Sequence, residues 1–125
     1  MPWRSLLVLA GMLAAAATWG VQCKPDGSQF ERNFCATLDA ERAERELDAA
    51  LAAARARHAA DPNALAALTR AHAAWRVFRD AALAAAFPCH HDDLSVCFDA
   101  DTPRRHARFR ARLARERTAH LRTPP

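Results

Sequence analysis

The stretch Leu65-Ala-Ala-Leu68-Thr-Arg-Ala-His72-Ala-Ala-Trp75-Arg-Val-Phe78-Arg79-Asp80-Ala-Ala82 decides the fold class. Leu65, Leu68, His72, Trp75, Arg79 and Ala82 recur at alternating spacings of three and four, which puts them on one face of an α-helix. Asp61-Pro62 supplies an N-cap followed by proline at the first helical position, and the residue ahead of Pro88 is pushed out of the α region, so a helix is predicted from Pro62 to just before Pro88. The same grammar reads outward in both directions. Ser28 and Glu31 form a Ser-x-x-Glu capping box, and Phe30, Phe34, Leu38, Leu47, Leu51 and Ala54 keep roughly helical spacing, so a first helix is predicted from Ser28 to about Ala59. Thr102-Pro103 repeats the cap-plus-proline start, and a third helix is predicted to about Ala119, anchored by Phe109 and Leu113. No segment shows the period-2, β-branched pattern of a strand; isoleucine is absent and valine scarce. The predicted fold is all-α: a small three-helix domain, built on an antiparallel helical hairpin that the short Asp61-Pro62 connection imposes on the first two helices.

Upstream, Arg4 precedes an uncharged run from Ser5 to Gly20 that is shorter than the ~20 residues a bilayer-spanning helix needs, followed by small residues. This is the layout of a secretory signal peptide over residues 1–20, with cleavage after Ala17 or Gly20. Gly20-Val21-Gln22 ahead of Cys23 matches a lipoprotein pattern poorly. The chain is therefore expected in the periplasm or outside the cell. The domain is expected over 21–122, with a frayed tail at 123–125.

Four cysteines, Cys23, Cys35, Cys89 and Cys97, in a small exported chain read as two disulfides. In the hairpin, Cys35 lies 26 residues before Asp61 and Cys89 lies 28 after it, at one open end. That geometry admits Cys35–Cys89 with Cys23–Cys97, or Cys23–Cys89 with Cys35–Cys97. The same counting sets Glu44 opposite Arg79 and Asp48 opposite Trp75.

The order of these residues resembles the LprI-type lysozyme-inhibitor-like family of bacterial envelope proteins. Cys23 and Cys35 match its first cysteine pair. Ala43-Glu44-Arg45-Glu46-Leu47-Asp48 stands for an acidic segment, His72-Ala-Ala-Trp75-Arg-Val-Phe78-Arg79-Asp80 for the central motif, and Cys97, Thr102, Arg105 and Phe109 for the end. Glu44 replaces an aspartate, Asp48 an asparagine, His72 a glutamine and Phe78 a tyrosine, and the third cysteine stands at Cys89 rather than near Leu83. The resemblance implies a structural cluster of Glu44, Leu47, Asp48, Trp75, Phe78, Arg79, Asp80 and Arg105, and it implies a protein that binds and blocks lysozyme, guarding peptidoglycan.

Composition narrows the alternatives. Cys89-His90-His91-Asp92-Asp93 with Cys97 has zinc-like ligand types, but in an oxidising compartment the thiols go to disulfides, so no metal or other cofactor is expected. His90, His91, Asp92 and Asp93 instead form the tip of an exposed loop, the best candidate for partner contacts. No catalytic set is expected: past the leader the chain has one glycine, Gly27, and two serines, Ser28 and Ser95. Charge is split. Residues 26–61 hold eight acidic and five basic side chains, whereas 102–122 hold one acidic and eight basic. Export argues against nucleic acid as the partner of those arginines. The alternative function is an envelope protein that attaches to anionic lipid or wall polymer through its third helix.

Overall fold

In the computed structural model, residues 23–93 and 96–123 are described. The leader expected at 1–20, and Pro124 and Pro125 of the tail, lie outside the described residues. Three helices make the domain: α1 (Gln29–Arg57), α2 (Pro62–Ala86) and α3 (Thr102–Arg122).

Each start follows from local chemistry. Ser28 Oγ accepts from the Glu31 N–H at 3.2 Å and the Glu31 carboxylate accepts from the Ser28 N–H at 2.8 Å, closing the capping box. Gly27 makes room for that carboxylate; a Cβ there would collide with it. Asp61 accepts from the Asn63 and Ala64 N–H groups, both at 3.0 Å. At α3 the expected cap is displaced. Thr102 is the first helical residue, it is buried, and its hydroxyl donates to Asp99 at 2.8 Å, while Asp101 occupies the cap position. The helix ends differ from expectation by two or three residues: α1 stops at Arg57 and α3 continues to Arg122.

The core corrects the sequence reading more deeply. The central packing is α1 against α3; α2 touches α1 only sparsely and buries none of its residues. Ala36, Ala40, Ala43, Leu47, Ala50 and Ala54 of α1 alternate by four and three, and so do Ala107, Ala111, Ala114, Thr118 and Leu121 of α3. These two heptad-spaced rows face each other. Alanine lets the helix backbones approach closely. Of the expected α1 stripe, Leu47, Leu51 and Ala54 lie in this core, whereas Phe34 and Leu38 are only half-buried and Phe30 is 77 % exposed.

Cross-links fix direction. Gln29 donates to Asp101 near the helix starts, Arg110 donates to Glu44 at mid-length, and Arg57 donates to the Leu121 carbonyl near the ends. So α1 and α3 run parallel, and α2 lies outside their seam. It is held by Leu68 and Trp75 against the core, and by Phe87 just past its end, whose ring packs on His106 at 5.2 Å and Phe109 at 6.1 Å.

Two disulfides are present, and neither expected pairing occurs. The bridges are Cys23–Cys35 and Cys89–Cys97, with Cα separations of 5.1 and 5.5 Å. Counting along a hairpin assumed that the bridges tie helices together. Each instead closes a short loop within consecutive sequence, the first pinning the N-terminal segment to α1 and the second closing the α2–α3 connection. Loop-closure entropy for loops this short corresponds to about 3 kcal/mol each.

Candidate functional site

Two surfaces carry the residues singled out from the sequence. The first is a groove where α2 crosses α1, lined by Glu44, Leu47, Asp48, His72, Trp75, Arg76 and Arg79. Trp75 is its centre. His72 stacks on it at 5.4 Å and the Arg79 guanidinium lies 5.4 Å from its ring centroid. This three-layer stack follows from the three-four spacing on α2. Glu44 does not pair with Arg79. Its carboxylate takes a bidentate fork from Arg110 of α3, Nε to Oε1 at 3.0 Å and Nη2 to Oε2 at 2.7 Å, while Arg79 donates to its neighbour Asp80 at 2.8 Å. Leu47 is buried in the seam beneath; Phe78 is 57 % exposed and points out of the cluster.

His72 carries the groove's electrostatic strain. Burial, reinforced by Arg117, Arg55 and Arg76, pushes its imidazole below the ordinary histidine range. Its Nδ1 is buried with no hydrogen-bond partner among the described residues. The groove therefore holds an imidazole that resists protonation, a stacked indole, and two carboxylates, of which Glu44 is engaged by Arg110 and Asp48 is exposed. That is packing and binding chemistry rather than a nucleophile with its base.

The second surface is the loop after α2. His90, His91, Asp92 and Asp93 are all exposed at its tip, and Leu94 and Ser95 lie outside the described residues. The thiols of Cys89 and Cys97 are consumed by their bridge, which removes them as metal ligands. Among the described residues no three histidine, cysteine or acidic side chains gather as a metal site.

The loop's root adds two residues absent from the sequence reading, Phe87 and Phe98. Phe87, Phe98, Pro88 and Cys97 border a hollow of about 480 Å³ with Arg105 at its rim, and Val96 beside it is exposed. Arg105 therefore does not join the Trp75 cluster. It donates to Asp99 at 3.2 and 3.3 Å and helps hold the turn into α3. The two phenylalanines flanking the Pro88-Cys89 and Cys97 positions were the available signal. The result is a polar tip next to an apolar shoulder, a combination typical of protein-contacting surfaces.

With this geometry established, comparison with known proteins adds one match: a family model described as "Lysozyme inhibitor LprI" covers residues 22–121. The chain belongs to the LprI lysozyme-inhibitor family. No curated protein and no solved structure matches it. The LprI match spans all three helices and all four cysteines, so both surfaces lie within the family domain. No helix among the described residues is long and apolar enough to cross a membrane.

Proposed function

We propose that the chain is exported through its leader and acts as a non-enzymatic binding protein that blocks a lysozyme-type enzyme, with the 89–97 loop as the contacting element. One observation carries the reading: the family match over 22–121 coincides with an exposed His90–Asp93 tip on a loop closed by Cys89–Cys97. A lysozyme cleft works with carboxylates set in an otherwise basic protein. Imidazole donors at the tip can hydrogen-bond such carboxylates, and the two aspartates complement the basic rim. Closing the loop by a disulfide lowers the entropy lost when it docks. The Trp75 groove serves in this reading as the brace that seats α2, and so places the loop that follows it.

Attachment to an anionic surface through α3 receives less support. Arg104, Arg105, Arg110, Arg112 and Arg115 all have carboxylate partners, so the helix offers much less free positive charge than its arginine count suggests.

The test is lysis of a Gram-positive wall suspension by lysozyme, with and without the oxidised protein, at two salt concentrations. Dose-dependent protection is expected, lost in the His90→Ala/His91→Ala/Asp92→Ala/Asp93→Ala variant and kept in Arg108→Gln/Arg112→Gln. Protection should change little with salt, because a protein of net positive charge is not steered towards a cationic enzyme. Absence of protection against several lysozyme types overturns the reading.

A further inference from the structure

Helical phase separates the two flanks of the α1–α3 seam. Glu44, Asp48 and Arg110 lie on the flank that α2 covers. The opposite flank holds a basin of about 560 Å³ lined by five arginines: Arg32, Arg42 and Arg45 from α1, and Arg104 and Arg108 from α3. The half of the chain richest in acids thus contributes three of the five. One carboxylate enters the basin, Asp39, and it is already shared by Arg42 and Arg115, each at 2.7 Å. Arg104 is matched by Asp101. Among the described residues, Arg32 donates only to neutral groups, the Gly27 carbonyl and the Gln29 side chain, which aim its guanidinium without neutralising it. Among the described residues, Arg45 and Arg108 have no carboxylate partner. The Cys23–Cys35 bridge forms one wall and seats Pro25 there.

We propose that this basin binds phosphate-type anions carrying two or more charged groups, such as oligophosphates or phosphate esters. Guanidinium forks match phosphate oxygens in pairs, and three uncompensated forks in a hollow of this size favour a compact polyanion over a single carboxylate. The site differs from attachment by α3 as a whole, because it needs α1 and the first disulfide. It is also independent of the lysozyme reading.

Calorimetric titration of the oxidised protein, purified after export, with sodium tripolyphosphate tests it. Saturable one-site binding is expected. Arg45→Gln/Arg108→Gln should weaken it at least tenfold, and reduction of the disulfides should weaken it as well. Arg112→Gln/Arg122→Gln, an equal loss of charge outside the basin, should leave it within twofold. All four arginines are exposed, so neither variant should disturb folding. Equal weakening by the two variants, or no saturation by the native protein, overturns the proposal. A second arm uses phosphatidylglycerol vesicles against phosphatidylcholine vesicles: capture by the anionic vesicles assigns the phosphate to lipid headgroups, and tripolyphosphate binding without capture assigns it to soluble or polymeric phosphate.

Discussion

Ala40 and Ala43 are fully covered and Ala111 is nearly so. At such positions the side chain sets the distance between two helices, and a larger one has nowhere to go. Ala43→Leu is expected to destabilise the domain by about 1–3 kcal/mol, seen as a lower urea midpoint; an unchanged midpoint would show that α1 and α3 can separate without penalty. The ion pairs allow a second test. Glu44 couples to Arg110 rather than to Arg79, so a double-mutant cycle should give about 0.5–1 kcal/mol for Glu44/Arg110, both partners being about one-third exposed, and close to zero for Glu44/Arg79. The seam was present in the sequence as Ala36, Ala40, Ala43, Leu47, Ala50 and Ala54. It was hidden because alanine recurs on several faces of α1, and a reading weighted by side-chain size selects Phe30 instead. Glu44, Asp48 and Trp75 were legible as neighbours because counting from a capped turn needs only helix rise. The partner of Glu44 was not, because it comes from an element 66 residues away.

Among the elements, α2 is the least anchored. With no buried residue it should exchange its amide hydrogens faster than α1 and α3, which share the seam. Its docking should also depend on pH. His72 on α2 and His106, against which Phe87 packs, are both held below the ordinary histidine range, chiefly by burial, and then by Arg117 for His72 and Arg110 for His106. The unfolded chain takes up protons near pH 6.5 where the folded imidazoles resist them, so stability is full above about 6.5 and falls as the pH drops below it. Asp101, held at about 2 chiefly by the hydrogen bond from Arg104 and then by that from Gln29, contributes stability above its ordinary value of 3.8 and loses it only as the pH falls towards 2. It therefore does not interfere between pH 5 and 7. Thermal unfolding across that range should show the decline, and His72→Leu should flatten it; an equally steep decline in that variant would shift the cause to His106. Helix starts were readable because caps are local chemistry, apart from α3, where buried Thr102 gives its hydroxyl to Asp99. Disulfide pairing was misjudged because counting across the hairpin places all four cysteines at one end, whereas each bridge closes a loop local in sequence, Cys23–Cys35 and Cys89–Cys97.

For the molecule as a whole, local bridges predict local consequences. Cys89→Ser/Cys97→Ser should make the 89–97 loop sensitive to proteases while the helical circular dichroism persists, because neither bridge spans the α1–α3 seam. Collapse of the helical signal would instead show that the loop holds α2 and α3 together. The all-α class and the three elements could be read from capping and spacing. Their arrangement could not, since a short turn between α1 and α2 says which way the chain returns, not which pair of helices packs closest.

The pairing of each cysteine with the next one along the chain also bears on how the protein is made. A polypeptide that emerges N-terminus first presents Cys35 to an oxidant when Cys23 is the one earlier cysteine available, and Cys89 and Cys97 then emerge in succession. The order of synthesis then coincides with the order of bonding. Thiol–disulfide reshuffling, which takes seconds to hours, is needed least where each cysteine bonds the next one along the chain.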